Sequence, residues 1–551
     1  MIRREFLAGL TSLSALAAAP AISFAQTPMN LGQQWDVIVI GSGLAGLSAA
    51  LSASENGADR ILVIEKLPVL GGHSRLSTGS FLAVSPKRLE PLGIHTSVDA
   101  VLEEMMEVGG GLGNKDLARL LLSESEAAMD WLETHGLVWN PEPYVAVGSP
   151  SAYAFRTIQG FTGSHYIFKL NQRARERGVR FLYDQPVTDL LQDPVSGNVN
   201  GVVVKSKNHE VIYIRGNAVV IATGGYSANN ALCRKFNPEI SALMPSTANP
   251  GGRYLDGAWG DALEFTKPFH AATVDLDKIQ KICFLGGRLV DYTGADIYLN
   301  KLLKQPQRAM WVITDSQSKK GLSLENKLAD GAVKKFDSLR QVAAFIGCPA
   351  ETLEETVTRY NDFVLKGVDE DFGKKVMLQT ISYPPFYVGQ ERVGVHYCCG
   401  GLKFNEKAQV LNTSEEPIAG LYVAGEASGG VHGKDRLGGI GLTDAVVFGR
   451  IAGREAAAEL QDEKRRSLKG RPSMLNFSTF RREATAFKSL MLLRILSRRA
   501  IKYRLTVCSK LLPNFNSWLN YESGQGRTRL RRSRRRSGSR FKNGHRQPET
   551  I

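Results

Sequence analysis

Cysteine is scarce, at six in 551 residues: Cys233, Cys283, Cys348, Cys398, Cys399 and Cys508. None falls in a C-x-x-C or C-x-x-C-H spacing, which excludes covalent haem, a zinc ribbon and a dithiol exchange motif. No metal site is expected, and the adjacent Cys398 and Cys399 read as small packed thiols. Beyond the first 25 residues no run is long and apolar enough to span a bilayer. Proline is ordinary and there is no Gly-X-Y period, while 43% apolar and 22% charged residues exclude wholesale disorder. Acidic side chains nearly vanish at the C-terminus, where residues 464–551 hold 24 basic and 3 acidic groups, a net of +21. Residues 1–463 hold 45 basic and 51 acidic groups, a net of −6, so the overall +15 belongs to the tail alone. A nucleic-acid partner is therefore not expected of the globular part.

What is present begins with an export signal. Arg3-Arg4-Glu5-Phe6-Leu7 precedes an Ala- and Leu-rich run to about Ile22, and Ser23-Phe24-Ala25 offers small residues for cleavage. The run is short and interrupted for a membrane anchor, so residues 1–25 read as a removed signal peptide. The Arg pair places it in the twin-arginine class, which predicts a periplasmic, exported bacterial protein. The remaining length allows two or three domains.

Glycine, at 55 residues, is abundant and clustered. Trp35-Asp-Val-Ile-Val-Ile40 is a β-branched apolar run that predicts a buried parallel strand. It leads into Gly41-Ser-Gly43-Leu-Ala-Gly46 and a helical pattern from Leu47 to Asn56. Gly41 permits the tight turn, Gly43 lets the backbone approach a pyrophosphate, and Gly46 lets the helix pack on the strand. The phosphates belong at the helix N-terminus, where free amides and the macrodipole favour anions. A second strand, Arg60 to Glu65, ends on an acid 19 residues past Gly46, placed to accept hydrogen bonds from a ribose. The whole strand–turn–helix–strand unit, rather than the glycine motif alone, points to a dinucleotide.

Later glycine clusters favour FAD over NAD. Gly71-Gly72-His73-Ser74 and Gly79 continue the nucleotide unit, and Ala218 to Gly225 gives another strand ending in a glycine turn. Gly420-Leu-Tyr-Val-Ala-Gly425-Glu426 repeats that pattern, and Gly438-Gly439-Ile-Gly441-Leu-Thr-Asp444 opens a final helix running to about Leu460. The N-terminus of that helix is placed to stabilise negative charge on a reduced flavin. The candidate cofactor contacts are Gly41, Gly43, Ala45, Gly46, Glu65, Lys66, Gly72, His73, Ser74, Thr78, Gly79, Val187, Thr223, Gly224, Asp261, Glu426, Gly439, Gly441 and Leu442.

Over about residues 35–460 these features resemble the FAD-dependent fumarate reductase and succinate dehydrogenase flavoprotein family, closest to its soluble flavocytochrome c and urocanate reductase branch. The most specific segment is Glu426-Ala-Ser-Gly-Gly-Val-His432-Gly-Lys-Asp-Arg436-Leu-Gly-Gly. The resemblance implies an α/β fold in which a Rossmann-like FAD-binding domain is split into residues 26–277 and 397–463. An α+β capping domain is inserted at 278–396, with helical patterns at Asp337–Ile346 and Glu351–Leu365. It also implies hydride transfer from flavin N5 to the C=C bond of a small unsaturated carboxylate gripped by Arg436. A guanidinium fork matches a carboxylate bidentately and polarises the alkene through it. Electrons would come from a separate cytochrome- or quinol-linked donor. A catalytically impaired flavin-binding protein and a ketosteroid dehydrogenase-like enzyme remain alternatives.

The sequence departs from the family at three places. Ile279-Gln280 is followed by Lys281 and Ile282 where a histidine is usual two residues after the pair. A usual His-His doublet reads His396-Tyr397, so the candidate catalytic residues are Arg436, Tyr397 and His396. The segment that leads to the family's proton-donating arginine looks deleted between Gly294 and Pro306, and no donor carries over. Arg288, Asp291 and Tyr292 lie nearby without matching it. Among other residues, His73 is expected beside backbone or phosphate, His165 and His270 as satisfied histidines, and His432 as shaping its loop. Glu426 is expected on the FAD side, and Arg156 at cofactor or solvent. The tail, with Arg-rich 527–536 and interleaved Leu, Ile and Arg over Phe487–Leu512, is expected to be a disordered extension or a product of a shifted reading frame; a basic helix on a membrane surface is the functional alternative.

Overall fold

The structure, a computed structural model, describes residues 31–469 except 147–148, 150, 161, 207, 209, 243, 250–256, 286–287, 290–308, 318–323, 330 and 372–378. The expected signal peptide, the segment between Gly294 and Pro306 with Asp291 and Tyr292, the side chain of Arg288 and most of the basic tail lie outside the described residues.

The chain enters through β1 (Trp35–Ile40), every residue of which is buried. Helix α1 (Leu44–Glu55) follows across the glycine turn, then β2 (Ile61–Ile64), one residue shorter at each end than the sequence pattern. After a helical excursion come β3 (Arg180–Leu182), β4 (Val187–Gln192), β5 (Val199–Lys205) and β6 (Val211–Ile221). A second sheet is built from β7 (Ile279–Leu285), β8 (Ala309–Thr314), β9 (Val333–Phe336) and β10 (Phe386–Cys398), with helices α2 (Leu339–Ile346) and α3 (Ala350–Lys366). The chain then makes β11 (Gln409–Leu411), β12 (Pro417–Val423) and the long α4 (Ile440–Lys469). Helix α4 runs past the expected end near Leu460 into the first basic residues of the tail.

The central sheet has the order β11-β12-β6-β1-β2-β3, and β12, β6, β1, β2 and β3 are mutually parallel. Parallel strands covered on both faces need continuous apolar sequence, which is why these segments read as β-branched runs. The antiparallel β4–β5 pair extends from β6. The C-terminal ends of β1, β2, β6 and β12 all run into glycine or acidic turns at one edge, where open α/β sheets bind ligands.

The second sheet centres on β10, which pairs antiparallel with β7, β8 and β9. Val342, Ala343, Leu353, Val357, Phe386 and Val388 form its small apolar core against α2 and α3. Strand β10 ends at Tyr397 and Cys398, opposite Gln280 and Ile279 of β7. The pairing shifts register between Gln280 and Lys281, and an irregularity of this kind re-aims side chains beside a site. Both sheets belong to one compact unit that ends at Arg466. Among the described residues no helix is long and apolar enough to cross a membrane.

Cys398 and Cys399 are packed thiols, as is Cys233. Cys233, Cys398 and Cys399 are buried, and burial pushes the Cys398 and Cys399 thiols well up from their ordinary range. A buried thiol held protonated is a poor nucleophile. All three are expected to escape iodoacetamide in the folded protein and to react only after denaturation, as peptide mass mapping would show.

Candidate active site

A cavity of about 1700 Å³ lies between the C-terminal edge of the parallel sheet and the second sheet. It exceeds the roughly 300–1,000 Å³ of an ordinary small-molecule site, in keeping with a dinucleotide plus a second ligand. One end is the glycine fingerprint. Gly41 adopts φ +102°, and a Cβ there would lie 2.3 Å from the Ala222 carbonyl oxygen. Gly43, at the start of α1, faces open space, its nearest neighbour for an added Cβ being Ser74 Oγ at 3.8 Å. That opening is a place where backbone can approach a phosphate.

Glu65 ends β2 against the cavity. It accepts hydrogen bonds from Ser42 N (3.0 Å), Ser42 Oγ (2.6 Å) and Leu67 N (2.9 Å). A carboxylate offers about four acceptor sites, so one remains for a ribose hydroxyl. Lys66 and Asp261, both candidate contacts, pair with each other at 2.6 Å on the cavity wall. At the other end Gly438, Gly439, Gly441 and Leu442 bring the N-terminus of α4 to the cavity. The residues present thus fit FAD: an open glycine cradle, spare acceptor capacity on Glu65 and a helix N-terminus for the flavin's developing charge.

Every candidate cofactor contact borders this cavity except Gly46 and Gly79. Gly46 keeps only the packing role read from the motif, and Gly79 is corrected to a packing position. A Cβ on Gly46 would meet Gly41 O at 2.0 Å, and one on Gly79 would meet Thr162 O at 2.5 Å. Both glycines serve backbone-to-backbone contact behind the cavity wall.

Arg436, Tyr397 and His396 meet at the far end. The Arg436 guanidinium lies over the Tyr397 ring at 4.3 Å, donates from Nη1 to the Leu437 carbonyl (3.1 Å), and has Nη2 2.9 Å from His396 Nε2. Its Nε is buried without a partner. An orphaned buried donor on a cation is costly and calls for an acceptor such as a ligand carboxylate. Gln280 of β7 fixes the loop from the opposite sheet, donating to the Asp435 carboxylate and to the Arg436 carbonyl (3.2 Å). The Asp435 carboxylate also accepts from Arg436 N at 2.7 Å. Ile282 and Tyr397, the two positions that replace family histidines, both line the cavity.

Electrostatics keep this end poised for hydrogen bonding. Burial, with Asp444 and Glu426 nearby, pushes the Tyr397 phenol well above its ordinary range, so it stays a neutral donor. Burial, then the neighbouring Arg436 and His73, holds His396 well below the usual histidine value. In the window below pH 6.5 the unfolded chain binds a proton at this position that the folded chain refuses. Stability therefore falls as pH falls, by up to about 1.4 kcal/mol per pH unit. Denaturant titrations across that window are expected to show a flatter pH dependence in His396→Gln than in the parent.

Several sequence expectations change. His73 borders the cavity, and its ring nitrogens meet side chains of other segments. Its Nδ1 is 3.2 Å from Glu426 Oε2 and its Nε2 is 3.2 Å from Thr247 Oγ1. Glu426 borders the cavity and also accepts from Cys398 N at 3.0 Å. His165 is not a satisfied histidine, because its Nδ1 is buried without a partner. His270 adopts φ +52° and caps a short 3₁₀ turn. His432 pairs with Asp444 at 2.9 Å and packs edge-on against Tyr397, which shapes the loop as expected. Arg156 lies 5.6 Å from the ring of the cavity residue Tyr144. The sequence reading missed Thr247, whose backbone N–H pairs with Val395 O of β10 at 2.9 Å. It also missed the anchoring by Gln280 and Asp435. Only the resemblance around Ile279-Gln280 could have flagged the Gln280 anchor, and no local signal marks Thr247.

Comparison with known proteins agrees with this geometry. The sequence pattern of the FAD binding domain family matches residues 36–442. The fumarate reductase (cytochrome) of Shewanella frigidimarina is 31% identical over 447 residues, covering 77% of this chain and 77% of that protein. The urocanate reductase of Eggerthella lenta is 30% identical over 470 residues, covering 79% of this chain and 76% of its own length. The open conformation of a flavocytochrome c3 fumarate reductase superposes with a TM-score of 0.67 at 29% identity, covering 82% of this chain and 81% of that one.

Proposed function

The chain belongs to the FAD binding domain family, among the fumarate reductase and succinate dehydrogenase flavoproteins, and from that premise we propose that it reduces the C=C bond of an unsaturated carboxylate held by Arg436. It is an FAD-dependent oxidoreductase of the class that acts on C=C and CH–CH bonds. The observation that carries the substrate reading is the unpartnered, buried Nε of Arg436 on a cavity that also holds the FAD-type cradle.

Bound FAD supplies a hydride from its N5. The protein's own residues do the rest. Arg436 binds the carboxylate, its plane set by stacking on Tyr397 and by the Gln280–Asp435 clamp. Withdrawing electrons through that carboxylate makes the distal alkene carbon a better hydride acceptor. Tyr397 keeps its proton and is free to donate to a carbonyl or second carboxylate. The second sheet, contributing Met310 and Trp311 to the cavity, shields the reacting atoms from water. Export through the signal at residues 1–25 and an external cytochrome- or quinol-linked electron donor complete the reading.

The test is anaerobic. Flavin in the purified holoprotein is reduced with dithionite, and its reoxidation is followed on adding fumarate, urocanate, acrylate or, as an uncharged comparison, a 3-ketosteroid. Rapid reoxidation by one of the unsaturated carboxylates is expected. A flavin that stays bound and reduced with all of them would mean a catalytically impaired flavoprotein.

A further inference from the structure

Five side chains from distant parts of the sequence form one hydrogen-bonded line. Glu426 Oε2 is 3.2 Å from His73 Nδ1, and His73 Nε2 is 3.2 Å from Thr247 Oγ1. Thr247 Oγ1 is 2.8 Å from His396 Nδ1, and His396 Nε2 is 2.9 Å from Arg436 Nη2. The hydroxyl also lies 3.3 Å from the His396 carbonyl oxygen, a second acceptor. Thr247 is held in place by backbone pairing to β10 on both sides, with Val395 N donating to Pro245 O (2.8 Å) and Thr247 N donating to Val395 O (2.9 Å).

The sense of donation follows from chemistry. A guanidinium can only donate, so His396 Nε2 accepts and its Nδ1 carries the proton. That N–H donates to Thr247, whose own hydroxyl donates to His73 Nε2, and the His73 Nδ1–H donates to Glu426. Beyond Arg436 each member can both accept and donate, Glu426 donating once it has taken up a proton, so with one added proton the whole line reverses. Reversed, Glu426 is a carboxylic acid and His396 presents Nε2–H to the cavity, once Arg436 has turned its donors to a bound carboxylate.

We propose that Glu426, His73, Thr247 and His396 form a proton wire that delivers the proton to the substrate carbon left electron-rich by hydride addition. The proposal rests on the C=C reduction reading. In the step, the His396 Nε2–H bond breaks as the new C–H bond forms, using the electron pair released from the alkene. The Thr247 proton passes to His396 Nδ1, the His73 Nε2 proton passes to Thr247, and the Glu426 carboxyl proton passes to His73 Nδ1. Glu426 is left as a carboxylate, and the line ends in the sense the structure shows. No oxidant or reductant beyond the hydride is consumed, and a proton from hydronium or buffer acid, carried by water that enters after product release, reprotonates Glu426 and resets the line. His396 is neutral before and after, as its depressed basicity beside Arg436 requires.

Thr247 decides the matter because it is the one link without an ionisable group. In single-turnover reoxidation of the dithionite-reduced holoenzyme, Thr247→Val is expected to lose on the order of 10²–10⁴ in rate, the usual worth of acid catalysis. Thr247→Ser, which keeps the hydroxyl, is expected to stay near the parent rate. In mixed H₂O/D₂O the parent is expected to show a curved dependence from several protons in flight, and Thr247→Val a linear one. A readout independent of turnover is ¹⁵N NMR of the nine histidines in the holoprotein. His73→Gln assigns the His73 resonances, and Thr247→Val is expected to shift the Nδ1 and Nε2 signals of both His73 and His396. Parent rate and parent isotope dependence in Thr247→Val would overturn the wire while leaving the reduction reading intact. A parent enzyme that no unsaturated carboxylate reoxidises would overturn the reduction reading, and the wire with it.

Discussion

Arg436→Ala is expected to lower kcat/KM for an unsaturated carboxylate by on the order of 10³ while FAD stays bound. The guanidinium is asked to do two things: to bind a carboxylate and to draw charge from the alkene as hydride arrives. Removing one preorganised donor of this kind costs about 2.7–4 kcal/mol, or 10²–10³ in rate, and loss of ground-state binding adds to it. Arg436 touches Tyr397, His396 and the Leu437 carbonyl, and none of these belongs to the glycine cradle at the other end of the cavity. The variant is therefore expected to retain its FAD. Arg436→Lys keeps the charge but not the fork, and is expected to recover only a small part of the loss. Steady-state kinetics with a constant reductant measure both, and an alanine variant with parental kcat/KM would remove the residue from the mechanism.

The second large effect separates two glycines that look alike in sequence. Gly41→Ala is expected to destabilise the apoprotein by about 2–6 kcal/mol, combining a side chain at positive φ with overpacking. The added Cβ would sit 2.3 Å from Ala222 O, backbone that cannot swing aside. Gly43→Ala is expected to leave apoprotein stability within about 0.5 kcal/mol, because φ is −65° and the nearest atom is 3.8 Å away. Its cost falls on the cofactor, since the new methyl occupies the approach of the pyrophosphate. FAD affinity is expected to drop about 10–100-fold, the equivalent of the roughly 1–3 kcal/mol of an overpacked contact. Urea titration of apoprotein and fluorescence titration with FAD tell the two apart. Equal destabilisation of both apoproteins would refute the distinction.

Much of the cofactor end was legible because its signals are local. A buried parallel strand needs a continuous apolar run, a tight turn needs glycine, and the following helix supplies its own amides, all within Trp35 to Glu65. The helices at Leu339–Ile346 and Ala350–Lys366 fell within a residue or two of their patterns for the same reason. The substrate end was legible only through the resemblance, which singled out Arg436 and the His396-Tyr397 pair. Nothing local marks Gly79 as a packing position, or His73 as anything but the neighbour of a glycine pair.

By itself the sequence determined that this protein is an α/β dinucleotide binder with its charge excess confined to the tail, since strand, turn and helix preferences act between near neighbours. Only the tertiary structure decided that His73 and Thr247 meet each other and the end of β10. The line from Glu426 to Arg436 joins residues separated by 353, 174, 149 and 40 positions. Contacts that distant leave no period in the chain, because they form only after both sheets have closed on one cavity and brought β10, the 245–247 segment and the two glycine turns together.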